Sequence, residues 1–93
     1  MSEILDRLSA TIADRKRNAP AGSYTASLFA AGMPRMAQKV GEEGVEVAIA
    51  ALSQPDDRVV AEMADLVYHC LVVLAARDLE WAAVEAELAS RFK

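Results

Sequence analysis

The sequence has 93 residues, of which 54% are hydrophobic and 26% are charged, and its formal net charge at pH 7 is −4. This length predicts one domain over residues 1–93, and the acidic balance argues against nucleic-acid binding, which needs a basic surface. The single cysteine, Cys70, excludes an intrachain disulfide, and the lack of a signal-like or long apolar segment predicts a cytoplasmic protein without membrane contact.

Apolar residues recurring at helical spacing predict helices throughout the chain and no strand. The predicted helices cover residues 2–17, 23–32, 34–52, 58–77 and 78–93. Ser2 and Ser23 are the predicted N-caps of the first two, Gly32 ends the second, and Pro34 suits the first turn of the third. In the last helix, the residues predicted to face inward are Leu79, Trp81, Val84 and Leu88.

Residues 53–57 predict a tight connection between the two long helices, with Asp56 or Asp57 as the next N-cap. A connection this short predicts an antiparallel helical hairpin, so the expected fold is all-α, a hairpin plus flanking helices. Both long helices are apolar around most of their circumference, which needs burial on several sides. We therefore expect a homodimer in which two hairpins form a four-helix core.

Acidic residues recur at helical spacing on both arms of this hairpin. Glu43 and Glu46 are three residues apart on one arm, and Glu62 and Asp65 are three apart on the other, so each pair shares a face. If the turn is centred on Gln54, Glu43 lies level with Asp65 and Glu46 lies level with Glu62. The same centring places Lys39 level with His69.

Four converging carboxylates repel one another, since two like charges at 4 Å cost about 4 kcal/mol at an effective dielectric near 20. A divalent cation would remove that repulsion, and an all-oxygen ligand set favours Mg²⁺ or Mn²⁺. The alternative interpretation is a solvated acidic stripe, which is common on exposed helix faces. The second acidic pair and the coincident register favour the metal site.

Three segments of the chain resemble a known family: "ADRK", "SYTASLFAAGMPRMAQKVGEEGVEVAIAA" and "EMADLVYHCLVVLAARDLEW". They are similar to the phosphoribosyl-ATP pyrophosphohydrolases, which act in the second step of histidine biosynthesis. The acidic signature is shared with the wider MazG-type all-α nucleoside-triphosphate pyrophosphohydrolases. The resemblance implies a MazG-like fold and hydrolysis of phosphoribosyl-ATP to phosphoribosyl-AMP and pyrophosphate. It also implies dependence on Mg²⁺, with Mn²⁺ as a substitute.

The resemblance also implies roles for the acidic residues. Glu43, Glu46, Glu62 and Asp65 match the family's metal ligands, and Glu42 lies among or beside them. Either Glu42 or Glu46 would orient or deprotonate the attacking water. Basic and hydroxyl side chains are the candidates for substrate binding: Lys39, Arg35, Arg15, Lys16, Ser23, Tyr24, Thr25 and His69.

Some of these assignments have simpler alternatives. Each basic residue could be an ordinary surface charge, although Lys39 precedes Glu43 by one helical turn, and a lone histidine such as His69 is more often a packing residue. For the whole chain, two rival functions remain: a house-cleaning nucleotide pyrophosphatase of the MazG type, and a non-catalytic helical dimerisation module. The expected partners are a nucleotide substrate and a second copy of the chain, with a higher assembly possible.

Overall fold

The protein is built from α-helices joined by short connections. The structure, a computed structural model, describes residues 2–92, and within that range it contains five helices and no strand. They are α1 (Glu3–Asn18), α2 (Tyr24–Ala31), α3 (Met33–Ser53), α4 (Asp56–Ala76) and α5 (Trp81–Ser90). The all-α prediction is confirmed, and every predicted helix is present with its ends shifted by a few residues at most.

The helix ends follow the predicted capping chemistry at α1 and α2. The Ser2 hydroxyl accepts a hydrogen bond from the Leu5 amide, and the Ser23 hydroxyl accepts one from the Ala26 amide. Gly32 separates α2 from α3 with a φ of 96°, a left-handed conformation that side chains with a Cβ rarely adopt. Local sequence therefore sets these three boundaries.

The predicted cap of α4 is wrong. Pro55 is the N-cap residue, and no side chain makes a capping hydrogen bond there. Asp56 and Asp57 lie inside the first turn, because Pro55 already provides the extended residue that precedes the helix. Their carboxylates still favour the helix, since negative charge near an N-terminus interacts well with the helix dipole.

Helices α3 and α4 form the antiparallel hairpin that organises the molecule. Each has 21 residues and is therefore about 32 Å long. Only Gln54 and Pro55 lie between them, so the chain must reverse direction at this point. The turn is centred within one residue of the predicted position, and the cross-hairpin register follows from it.

Helices α1 and α2 cover one side of the hairpin and close the core. Its buried residues come from four of the five helices: Ile12, Leu28, Met36, Leu71 and Val72. Trp81 at the start of α5 packs against this cluster, but Leu79 and Leu88 are about half exposed. The prediction that these two leucines face inward is wrong, because Leu79 lies in the connection before α5 and no residue of α5 itself is buried.

The hairpin also carries apolar side chains that nothing in the described chain covers. Leu52 is 88% exposed and Val60 is 69% exposed. Three further large apolar side chains of the hairpin are exposed: Val45, Ile49 and Met63. Val45, Ile49 and Leu52 recur every three to four residues along α3, so they form one stripe on that helix. We call these five residues the apolar stripe of the hairpin.

Helix α4 is long and apolar enough, by length and composition alone, to cross a membrane. Its most apolar window has a mean hydropathy of 1.8. A helix from the core of a soluble protein passes the same test, so this observation is weak. Here α4 carries Glu62 and His69 as buried polar residues and packs against α1 and α3.

Candidate active site

Three carboxylates meet across the hairpin, halfway along its arms. Oxygen atoms of Glu43, Glu62 and Asp65 all lie within 4.8 Å of one another. The Glu43 side chain is 13% exposed and that of Glu62 is 10% exposed, whereas Asp65 lies at the surface. We call these three residues the carboxylate triad. It contains three of the four carboxylates that were predicted to lie level across the hairpin.

Glu46, the fourth predicted carboxylate, is exposed and does not belong to this group. It follows Glu43 by three residues, which rotates its side chain about 60° around the helix axis from that of Glu43. Glu42 is also exposed, and its carboxylate accepts a hydrogen bond from the Gln38 amide. The predicted tetrad is therefore a triad with two acidic residues beside it.

Two cations neutralise part of the charge of the triad. The Lys39 ammonium lies 3.6 Å from a Glu43 oxygen and 3.4 Å from a Glu42 oxygen. The Arg58 guanidinium donates a hydrogen bond to the Glu62 carboxylate. These two side chains therefore share the neutralising role predicted for a divalent cation, whose binding stays a prediction. Arg58 was missed in the sequence, although its position one turn before Glu62 is the spacing of a helical ion pair.

The same contacts shift two ionisation equilibria. Burial lowers the pKa of Lys39, but the opposing influence of Tyr24, Glu42 and Glu43 outweighs it and raises that pKa above its ordinary value. The pKa of Glu42 is lowered, first by the hydrogen bond from Gln38 and then by the hydrogen bond and charge of Lys39. At neutral pH this corner of the site therefore holds a charged ammonium and a charged carboxylate side by side.

The other predicted cations lie at different distances from the triad. Arg35 is exposed at the start of α3, and its charge is among the causes that lower the pKa of Glu42. Arg15 pairs with Asp14, with 2.7 Å between the charged atoms. Lys16 donates hydrogen bonds to the Ala75 carbonyl at 2.8 Å and to the carboxylate of Asp78 at 2.9 Å.

Lys16 therefore belongs to a different part of the fold. Ala75 follows Asp65 by ten residues, so its carbonyl lies about 15 Å further along α4. A cleft of about 790 Å³ opens there, between α1, the end of α4 and the start of α5. None of the triad residues lines this cleft. Arg15 and Lys16 pair with Asp14 and Asp78 and not with the triad, so their role in substrate binding stays a prediction.

The first turn of α2 lies against α4 beside the triad, and this contact involves three of the predicted substrate residues. The Tyr24 hydroxyl is 3.1 Å from Nε2 of His69. The Thr25 hydroxyl is hydrogen-bonded to the Tyr68 hydroxyl, a partner that the sequence did not indicate. The Ser23 hydroxyl caps α2 by accepting a hydrogen bond from the Ala26 amide. The rings of Tyr24 and Tyr68 stack with their centroids 6.4 Å apart, and each packs edge-on against His69.

The donor set of the triad fits a hard divalent cation. All its donor atoms are carboxylate oxygens, and their mutual separations allow one ion to reach all three. Mg²⁺ prefers such oxygen donors and usually completes its coordination with water and phosphate. Lys39 and Arg35 add positive charge on the same arm of the hairpin, so the surroundings suit a ligand with several phosphates.

Comparisons with known proteins agree on one family. The family model for phosphoribosyl-ATP pyrophosphohydrolase matches residues 5–92. The chain is 53% identical over 89 residues to a phosphoribosyl-ATP pyrophosphatase of Novosphingobium aromaticivorans, covering 96% of this chain and 83% of that one. It is 50% identical over 93 residues to a phosphoribosyl-ATP pyrophosphatase of Metallosphaera sedula, covering 100% of both.

A third relative is longer. The chain is 51% identical over 89 residues to the histidine biosynthesis bifunctional protein HisIE of Xanthomonas axonopodis pv. citri, covering 96% of this chain and 43% of that protein. The matched residues include both arms of the hairpin and the first turn of α2, which carry the site described above. The chain belongs to the phosphoribosyl-ATP pyrophosphohydrolase family.

Proposed function

We propose that the protein hydrolyses phosphoribosyl-ATP to phosphoribosyl-AMP and pyrophosphate, as a Mg²⁺-dependent enzyme of histidine biosynthesis in the cytoplasm. The observation that carries this proposal is the convergence of Glu43, Glu62 and Asp65 on one point of the hairpin. The relatives named above, which are phosphoribosyl-ATP pyrophosphatases and a histidine biosynthesis protein, support the substrate and the pathway. Mn²⁺, which takes the same oxygen ligands, would replace Mg²⁺.

The triad would hold the cation. Bound there, Mg²⁺ would neutralise negative charge on the phosphate oxygens as the phosphoanhydride bond breaks. Glu46 is the proposed fourth ligand, because its flexible side chain starts only about 60° from that of Glu43 around the helix. Arg58 would keep Glu62 charged and oriented, since its guanidinium donates directly to that carboxylate.

The attacking water needs a carboxylate to orient or deprotonate it. Of the two predicted candidates, the Glu42 carboxylate is already engaged, because it accepts a hydrogen bond from Gln38 and lies 3.4 Å from the Lys39 ammonium. Glu46 forms no ion pair within the described residues and is exposed, so its carboxylate is accessible to water. We therefore assign water activation to Glu46, with one carboxylate oxygen left for the water when the other binds the cation, and assign Glu42 to the positioning of Lys39.

Phosphate binding is assigned to the start of α3 and the first turn of α2. Lys39 is held 3.4 to 3.6 Å from two carboxylates, so its ammonium has a defined position beside the triad. Arg35 precedes it by one turn and is free to form the paired hydrogen bonds that guanidinium makes with phosphate. Tyr24 would line the substrate site from α2, whereas the Thr25 hydroxyl is bonded to Tyr68.

The active form is proposed to be a homodimer. The apolar stripe of Val45, Ile49, Leu52, Val60 and Met63 is exposed on the hairpin. A second hairpin packed against it would bury these side chains in a four-helix core, at about 25 cal/mol for each Å² of apolar surface removed from water. The same packing explains why α4 is apolar on faces that α1 and α3 do not cover.

The test is a substrate panel. Pyrophosphate release is measured with phosphoribosyl-ATP and with ordinary purine and pyrimidine triphosphates, in Mg²⁺ and in excess chelator. We expect release from phosphoribosyl-ATP in Mg²⁺, little from the other nucleotides, and none in chelator. Glu62→Gln should abolish release, whereas Glu87→Gln, which changes an exposed glutamate of α5, should not.

Other outcomes distinguish the rival functions. Equal or faster release from ordinary or modified nucleotides would favour a house-cleaning pyrophosphatase. No release from any nucleotide, with no effect of Mg²⁺ on thermal unfolding, would leave the helical dimerisation module as the better interpretation.

A further inference from the structure

A chain of hydrogen bonds runs from α2 through His69 to the backbone of a triad residue. The Tyr24 hydroxyl lies 3.1 Å from Nε2 of His69. On the other side of the ring, Nδ1 of His69 lies 2.7 Å from the backbone carbonyl oxygen of Asp65. Both ring nitrogens are therefore engaged, and the histidine is only 6% exposed.

These contacts specify the tautomer of the neutral imidazole. A carbonyl oxygen can only accept a hydrogen bond, so Nδ1 must carry the proton. Nε2 is then an acceptor, and the Tyr24 hydroxyl donates to it. In this arrangement His69 has no nitrogen left for a substrate. Tyr24, in contrast, is 50% exposed even though its hydroxyl is bonded to His69.

We propose that His69 is a positioning residue: it anchors Tyr24 of α2 to the α4 turn that contains Asp65, so that Tyr24 and Lys39 face the substrate phosphates in a fixed arrangement. This inference rests on the proposed function. It reassigns His69 from substrate contact to support, and it gives α2 the task of bracing the catalytic hairpin.

The position of Tyr24 supports this role. Helix α2, which carries Tyr24, packs against α3, which carries Lys39. Lys39 in turn contacts Glu43, a member of the triad. Tyr24 is thus linked to α4 through His69, and its helix also packs on α3, so this hydrogen bond helps to fix α2 against both arms of the hairpin.

The neighbouring hydrogen bond provides a matched control. Thr25 follows Tyr24 by one residue, and Tyr68 precedes His69 by one residue. The hydrogen bond between Thr25 and Tyr68 therefore joins the same two helices, α2 and α4. Tyr68→Phe removes that hydrogen bond and keeps the ring that packs edge-on against His69, with centroids 4.8 Å apart. If the attachment of α2 were all that mattered, Tyr68→Phe would act like Tyr24→Phe.

The kinetic test uses four variants. Tyr24→Phe and His69→Asn both lose the Tyr24–His69 bond, and Asn can still donate to the Asp65 carbonyl from the position of Nδ1. His69→Gln places its amide oxygen near the position of Nε2 and can still accept from Tyr24. We expect kcat to fall about fivefold or more in the first two variants, the loss typical of one hydrogen bond, with a smaller change in KM.

The same variants separate positioning from folding. His69→Gln should retain several times the kcat of His69→Asn, and Tyr68→Phe should keep the wild-type kcat. The rise in unfolding temperature caused by Mn²⁺ should be unchanged in all four, because none removes a triad carboxylate. Equal losses in His69→Gln and His69→Asn, or a loss in Tyr68→Phe as large as in Tyr24→Phe, would overturn the proposal.

A spectroscopic test does not need activity. The chain contains one histidine, so the imidazole signals in a ¹⁵N NMR spectrum belong to His69 alone. In the neutral imidazole we expect a protonated Nδ1 and an unprotonated Nε2, and a shift of the Nε2 signal in Tyr24→Phe. A proton on Nε2 instead would overturn the inference. The expected spectrum with no pyrophosphate release from wild type would refute only the proposed function.

Discussion

Glu43 of α3 and Asp65 of α4 bring carboxylate oxygens to within 4.8 Å of each other across the hairpin, and Glu62 completes the triad. Without a cation the charges on these groups oppose folding, and with a cation they bind it. The carboxylates therefore have opposite effects on stability in the two conditions, which can be measured.

Asp65→Asn should stabilise the metal-free protein and abolish its response to Mg²⁺. Removing one like charge should add up to about 1 kcal/mol to the free energy of unfolding, the scale of a screened surface interaction. The wild type should instead gain about 2.7 kcal/mol when the Mg²⁺ concentration is a hundred times its dissociation constant. Thermal unfolding with and without Mg²⁺ measures both effects. Asp57→Asn is the control, and an unchanged Mg²⁺ response in Asp65→Asn would remove that residue from the ligand set.

Arg58→Met should destabilise the metal-free protein by about 1–3 kcal/mol, because Glu62 is buried and would lose its charged donor. Mg²⁺ should recover part of this loss by supplying positive charge to the same carboxylate. Urea unfolding in chelator and in Mg²⁺ gives the two values. Arg91→Met is the matched control: Arg91 pairs with Glu87 at the same helical spacing, but both are exposed, so the expected loss is below about 0.5 kcal/mol.

Ser23→Ala should cost about 1 kcal/mol of stability, because the Ser23 hydroxyl caps α2. Ser23→Asp should restore the cap and the stability. If the hydroxyl also binds substrate phosphate, the added negative charge of aspartate should raise KM many-fold; if its role is capping alone, KM should stay near the wild-type value. Chemical unfolding and steady-state kinetics on both variants decide between the two roles.

Val60→Lys should convert the proposed dimer to monomer, because it replaces an exposed apolar side chain of the stripe by a charge that would be buried in the interface. Ile4→Lys, which changes an exposed apolar residue of α1, should leave the assembly intact. Sedimentation equilibrium measures the mass of each variant. A monomeric wild type, or a Val60→Lys protein that remains dimeric, would show that the stripe is not the interface.

Gln38→Ala should raise the pKa of Glu42 toward 4.5, since the hydrogen bond from Gln38 is the main cause of its lowered value. A carboxyl with a lowered folded-state pKa stabilises the protein above its ordinary pKa, and this contribution disappears as the pH falls through the folded-state value. The stability difference between wild type and Gln38→Ala should therefore be present at pH 6 and shrink below pH 4.5. Carbon NMR titration of Glu42 measures the pKa directly, and an unchanged value would contradict the assigned cause.

Much of the site could be predicted because it depends on local signals and on one turn. Caps, glycines and prolines set the ends of the helices, and the Gln54–Pro55 turn sets which residues of α3 and α4 lie level. The meeting of Glu43 with Asp65 follows from that register and from helical geometry. The four-residue spacing of Arg58 and Glu62 also indicates a helical ion pair, although the prediction did not include it.

Other features depend on contacts between helices that lie far apart in the sequence. The Tyr24–His69 and Thr25–Tyr68 bonds join residues more than 40 positions apart, and no periodicity relates them. The inward faces of Leu79 and Leu88 were wrongly predicted because an apolar pattern identifies a face without saying whether another helix covers it.

By itself, the sequence determined the helices, the reversal at Gln54 and the acidic character of one level of the hairpin, since hydrogen bonds and dihedral preferences within a few residues decide these features. Only the tertiary structure decided that Glu46 stands outside the triad, that Arg58 and Lys39 share its charge, and that His69 supports Tyr24. These relationships depend on how helices are rotated and packed against each other, which is set by the whole core at once.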